Sequence, residues 1–282
     1  MIAPGTGIQQ HGRWRYTSLV ESTISTAPQP RFAFRPRHLG WLALATVLIG
    51  TAALAVHFWA FIWIPYVAEQ QVISHIQALG GSVQMSAGGW NWVRRVIGNE
   101  PMTVFDRVWT VELAVAGSRV TDADMPEIAK LRHVVSVNLA GTKISGNSIV
   151  YLNDCQFLQQ LIIPGTEVTD AGIAGLNHLY LVDLLLTGLP IGDAALERLD
   201  RFEYLEGLDL GATHVTDDGL CHLARIKRLS SLSLNGARIS DAGLVHLKGI
   251  ATLRHLDLGA TNVTDEGVAD LRRCLPSLTV ER

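Results

Sequence analysis

His222 and His246 stand 24 residues apart in matching surroundings, Gly219-Leu220-Cys221-His222-Leu223 and Gly243-Leu244-Val245-His246-Leu247. In a regularly repeating chain that spacing brings two imidazoles onto neighbouring turns, and two imidazoles are half of a zinc site. The place they share holds Tyr151, Arg198 and Asp270 elsewhere, which is the mixture of a solvated face and not a ligand set. Carboxylates form the second recurring group: Thr121-Asp122, Thr169-Asp170, Thr216-Asp217, Ser240-Asp241 and Thr264-Asp265. A general acid or base is singular and tuned by its own surroundings. A carboxylate that returns at fixed spacing behind a hydroxyl reads instead as a helix start, with the hydroxyl capping free N–H groups and the acid facing the positive dipole end. The chain has no P-loop, no G-x-G-x-x-G, no G-x-S-x-G, no H-E-x-x-H and no Cys-x-x-Cys. We expect no catalytic residue, no cofactor and no metal.

These residues recur because the chain repeats. With Leu205 as position one, the same position falls on Thr110, Val134, Leu158, Leu181, Leu229 and Leu253. Position four reads Leu113, Val137, Leu161, Leu184, Leu208, Leu232, Leu256, and position six reads Val115, Leu139, Ile163, Leu186, Leu210, Leu234, Leu258. Alternation with polar or small residues makes this segment a short strand with one inward face. Positions sixteen and nineteen are apolar in every copy, from Met125 and Ile128 to Val268 and Leu271, the inner stripe of a short helix. Gly172, Gly219, Gly243 and Gly267 follow two residues after the acid and read as room for close helix packing.

The pattern L-x-x-L-x-L-x-G-T-x-V-T-D-x-G-L resembles the leucine-rich-repeat superfamily. The resemblance implies an α/β fold: a right-handed solenoid of about seven 24-residue repeats, with a parallel β-sheet on the concave face and short helices on the convex face. Many such repeats carry an Asn or Cys ladder at position nine. Here that column is Ser118, Thr142, Thr166, Leu189, Thr213, Ala237 and Thr261, so threonine hydroxyls would have to serve the loop backbone, with Leu189 and Ala237 as breaks.

Ahead of the repeats, Leu39–Ile64 contains no Asp, Glu, Lys or Arg. As a helix this segment is roughly 39 Å long, enough to cross a bilayer, with Trp41 at one end and Trp59 and Trp63 at the other. Residues 1–65 carry five Arg against one Glu, so the remainder of a chain of net charge −3 stands at −7. A basic tail before the span puts the N-terminus in the cytoplasm. An acidic repeat region argues against nucleic acid. A cleaved signal peptide ending near Ala53-Leu54-Ala55 is the rival reading of the span. Cys155 and Cys274 fill equivalent places, but stacked strands about 5 Å apart would hold them roughly 20–25 Å from each other, beyond disulfide reach. We expect three free thiols packed as small hydrophobes.

The expected organisation is a disordered basic cytoplasmic tail (1–38), a transmembrane helix (39–64), an α/β cap and linker (65–109) and the repeats (110–282). The cap reads as a helix over Tyr66–Leu79 stopped by Gly80-Gly81, a strand over Ser82–Met85, a turn at Gly88-Gly89 and a short helix over Trp90–Ile97. Together with the first repeat, this order resembles bacterial membrane-anchored leucine-rich-repeat proteins. The resemblance implies a single-pass protein of the bacterial inner membrane with its repeats on the periplasmic side. The strand positions that alternate with the core project to the concave face. Gln160, Ile162, Asp183, Leu185, Glu206, Asp209, Ser233, His255 and Asp257 are the candidate protein-binding residues. Ile162 and Leu185 form a small apolar centre within a polar rim. The expected function is non-enzymatic protein binding, with the bilayer as the second contact through 39–64. The alternative is an envelope protein that mainly self-associates.

Overall fold

The computed structural model describes residues 36–88, 94–96, 98–115, 119–177 and 180–282. The expected tail lies almost wholly outside the described residues, as do Ser118 and most of the expected Trp90–Ile97 helix, of which only the turn 94–96 is described. The chain divides into two compact units, Met1–Ala53 and Leu54–Arg282.

In the first unit the described residues belong to helix α1 (Pro36–Phe58). Two of its hydroxyls are satisfied locally: Thr46 and Thr51 donate to the carbonyls of Ala43 and Leu48 at 2.8 and 3.0 Å. In the second unit a π-helical turn over Trp59–Trp63 leads into α2 (Ile64–Leu79). Gly80, at φ 93°, ends α2, because a left-handed cap residue is one that only glycine adopts without penalty. Val72, Ile73 and Ile76 are buried against the repeat core.

Nine strands form one sheet in strict chain order: β1 (Ser82–Ser86), β2 (Arg107–Glu112), β3 (Ser136–Asn138), β4 (Gln160–Ile162), β5 (Asp183–Leu185), β6 (Gly207–Asp209), β7 (Ser231–Ser233), β8 (His255–Asp257) and β9 (Thr279–Glu281). Strand β1 is antiparallel to β2, and every later pair is parallel. Among the described residues after β2, six short α-helices return the chain between strands: α3 (Met125–Ile128), α4 (Gly146–Ile149), α5 (Asp170–Gly175), α6 (Asp193–Leu196), α7 (Asp241–Leu247) and α8 (Asp265–Cys274). The return between β6 and β7 is instead a 3-10 helix over Gly219–Arg225. Both helix columns are buried in every repeat, which a three-residue spacing allows in α and 3-10 turns alike.

One register expectation is wrong. Val115 is 87 % exposed, whereas Val108, Val111 and Leu113 are buried. Val111, not Leu113, pairs with Val137, so position one of this repeat falls on Val108, two residues before Thr110. The Glu112-to-Asn138 interval is 26 residues, where Ser136 to Gln160 is 24. A strand's side chains alternate with period two, so a two-residue slip leaves the inward pattern intact. Only burial tells the two registers apart. The extra residues lie in the loop before Val120.

The last repeat holds a second correction. Cys155 is buried, but Cys274 is exposed, and Leu275 takes the inward place. Helix α8 is ten residues long and carries the chain one residue further before it turns. Cys221 is also exposed, so only Cys155 packs as a small hydrophobe. Burial, with Asp154 nearby, pushes its thiol up to about 12.

Candidate functional site

Two hydrogen-bonded columns, one within each repeat and one between neighbouring repeats, brace the stack and leave one sheet face free. On the loop side Thr142, Thr166, Thr213 and Thr261 donate to the position-six carbonyls Leu139, Ile163, Leu210 and Leu258 at 2.6, 2.9, 2.6 and 2.6 Å. The threonine column therefore does the work expected of it, and Leu189 and Ala237 are simply buried. On the helix side the Asp column does more than face a dipole. Asp193 accepts from the Thr216 N–H and hydroxyl at 2.8 and 2.7 Å, Asp217 from Ser240 at 2.8 and 2.5 Å, and Asp241 from Thr264 at 2.8 and 2.6 Å. Each acid ties its own turn to the next. Hydrogen bonds from the Thr264 hydroxyl and N–H hold Asp241 below the ordinary carboxylate range. Burial alone would raise Asp122, but bonds from Ser148 and Ser145 outweigh it and hold that carboxyl down too. The glycine column fits here: a Cβ at Gly219, Gly243 or Gly267 would collide with Oδ1 of Asp193, Asp217 or Asp241. Where Gly146 replaces the acid, a hollow of about 350 Å³ opens beside Ser145 and Thr169.

With one face of the sheet committed to the core, the other presents two parallel rows. One runs Ser136, Gln160, Asp183, Gly207, Ser231, His255, and the other Asn138, Ile162, Leu185, Asp209, Ser233, Asp257. Eight of the nine expected residues are in these rows, and the ninth, Glu206, is exposed just before β6. Ile162 and Leu185 are register partners, but both are only half exposed.

The acids on this face divide into two kinds. Asp209 accepts from Thr187 Oγ1 at 2.7 Å and from its own loop at Gly211 N, 2.8 Å. Asp257 accepts from Gly259 N at 2.9 Å and Asn235 Nδ2 at 3.2 Å. Both shape the turn that follows their strand. Asp183 and Glu206 are different. Burial and then the Glu206 charge raise Asp183 above its ordinary value, against a hydrogen bond from Gln160. Among the described residues no cation forms a salt bridge with either. A polar hollow of about 250 Å³ over Ser231, Ser233, His255 and Asp257 ends the face at β9.

The sequence reading missed the residue that precedes position one. In successive repeats it is His133, Phe157, Tyr180, Tyr204 and Arg228. His133 stacks on Phe157 at 5.6 Å, Tyr180 on Tyr204 at 5.5 Å, and the Arg228 guanidinium lies 4.9 Å over Tyr204. Phe157 and Tyr180 are each 53 % exposed and Trp109 is 49 % exposed. At the β2 end of this stripe, Arg107, Trp109, His133, Val135, Phe157 and Gln159 line a mainly apolar groove of about 410 Å³. Burial, then the charges of Arg107 and Arg132, hold His133 below its ordinary value. The sequence carries this signal as an aromatic one residue ahead of the leucine column at Phe157, Tyr180 and Tyr204.

The metal pair is not assembled further: among the described residues no three His, Cys, Asp or Glu side chains gather as a metal site.

Residues 250–271 match the family model described as a leucine-rich repeat. Solved structures similar to this chain include an internalin of Listeria monocytogenes, at 20 % identity and TM-score 0.41, covering 55 % of this chain and 49 % of that one. A leucine-rich-repeat protein of Leptospira interrogans is similar at 16 % identity and TM-score 0.40, covering 56 % of this chain and 45 % of that one. The chain thus spans about half the length of each. Among curated proteins no sequence matches it.

Proposed function

We propose that this chain, a leucine-rich-repeat protein, is a membrane-anchored, non-enzymatic binding module that captures a protein partner on the concave side of its sheet. Leucine-rich repeats build extended binding surfaces as a class. The observation that carries the reading is the pair of rows on the open face. Gln160, Asp183 and His255 in one, and Ile162, Leu185, Asp209, Ser233 and Asp257 in the other, alternate with fully committed core leucines. Stacking leaves these side chains on the face away from the core, on a frame fixed by the Thr and Asp columns, with Asp209 and Asp257 also holding the turns after their strands.

Anchoring rests on α1 and the turn that follows it. Leu44, Val47, Leu48 and Ile49 point apolar groups outward at 49–69 % exposure. A helix apolar on all sides with its own hydroxyls satisfied suits hydrocarbon, not water. The span 39–64, with the basic tail inside the cell, sets the repeats outside the bacterial inner membrane.

Photoreactive residues placed at Ile162, Asp209 and, on the helix side, His222 test the binding reading in intact membranes. Partner crosslinks are expected from the first two and not from the third. Equal crosslinking at all three would dismiss a specific face. Crosslinks only to other copies of this chain would favour the self-associating alternative.

A further inference from the structure

The aromatic stripe and the acidic pair beside it have a chemistry that names a partner class. We propose that the rim where the strands begin binds an extended, proline-rich segment bearing Arg or Lys, supplied by another protein. The inference rests on the protein-binding reading above and says what that partner must look like.

Three observations carry it. The first is the stripe itself. Phe157 and Tyr180 expose ring surface on successive repeats beside the groove at Trp109, and Tyr204, stacked on Tyr180 and covered by Arg228, backs them. Exposed ring ridges with an apolar groove are the surface that a polyproline II segment uses, since its backbone is already stiff and loses little entropy on docking.

The second is spacing. Stacked strands lie about 4.8 Å apart, so two repeats advance about 9.6 Å. One turn of polyproline II advances about 9.3 Å. A segment laid across the strands would return the same side chain to every second repeat.

The third is charge. Glu206 follows Tyr204 by two residues, is exposed, and directly precedes Gly207, the register partner of Asp183. The two acids sit close enough for Glu206 to act on Asp183, and among the described residues no salt bridge relieves them. A guanidinium or ammonium on the segment would neutralise both. At the groove end there is no such acidic pair: the charges of Arg107, itself paired with Glu69, and of Arg132 act on His133. The basic side chains are therefore set over β5 and β6, and the prolines over Trp109 and Phe157.

The full chain, reconstituted in nanodiscs, is titrated into fluorescein-labelled (Pro-Pro-Arg)4, with (Pro-Pro-Glu)4 and (Gly-Ser-Arg)4 as comparison probes. The expected result is binding of (Pro-Pro-Arg)4 about tenfold tighter than either comparison. Tyr180→Ala is expected to weaken it about tenfold, as loss of an exposed aromatic anchor does. Glu206→Gln, at an exposed site that leaves folding alone, is expected to weaken it about two- to fivefold. Equal binding of (Gly-Ser-Arg)4 would reduce the effect to bare charge and overturn the proposal. So would absent binding, or binding that neither variant changes. Crosslinks at Ile162 and Asp209 in the absence of (Pro-Pro-Arg)4 binding would remove this partner chemistry and leave the binding face standing.

Discussion

Asp183 shows how a single side chain on the open face reports its own surroundings. Burial and then the Glu206 charge raise its carboxyl above the ordinary value of about 4. An acid with a raised folded pKa binds its proton more tightly in the folded chain than in the unfolded one. Keeping it ionised at neutral pH therefore works against folding, and that cost disappears as pH falls through the raised value. Asp183→Asn removes the charge and keeps the shape. Its melting temperature is expected above the wild type's at pH 7, with the gap closing as pH drops into the range where the wild type is protonated. A variant that melts lower than wild type at pH 7 would refute this. The residue's side of the sheet was legible from strand alternation. Its conflict with Glu206 was not, because the two positions lie in different repeats.

Between one repeat and the next, the acid column and the glycine column act as a unit. The carboxylate of Asp217 is pinned by the N–H and hydroxyl of Ser240, and a Cβ at Gly243 would strike its Oδ1. Gly243→Ala is expected to destabilise the chain by about 1–3 kcal/mol, the cost of forcing an atom into a filled space. Asp217→Ala removes the obstacle along with two hydrogen bonds. In denaturant unfolding the double variant should therefore lose clearly less than the two single losses combined. Strict additivity would mean that the glycine is needed for something else. The sequence displayed both columns, and the glycines were read as room for packing. That the room is for a carboxylate of the preceding turn required coordinates, since the contact joins residues about two dozen positions apart.

At the scale of the molecule the three thiols give a direct test of topology. Cys221 and Cys274 are exposed, whereas Cys155 is buried with its thiol pushed up to about 12, and reactivity needs an accessible thiolate. In native protein a maleimide is expected to modify the first two and to reach Cys155 only after denaturation. On intact spheroplasts a membrane-impermeant maleimide should modify the same two without lysis. Labelling that appears only on lysis would place the repeats in the cytoplasm and overturn the proposed orientation.

The period, the inward leucines, the threonine column and the glycine stop after α2 were settled by the sequence alone. Each depends on interactions within one repeat or on a pattern that every repeat copies. Tertiary structure decided what depends on neighbours. It chose Val111 over Leu113 as the partner of Val137, since period-two alternation cannot separate registers two residues apart. It exposed Cys274 by letting α8 run one residue on. It also brought Phe157, Tyr180 and Tyr204 to one edge, where residues remote along the chain become adjacent because each repeat finds its interior only against the next.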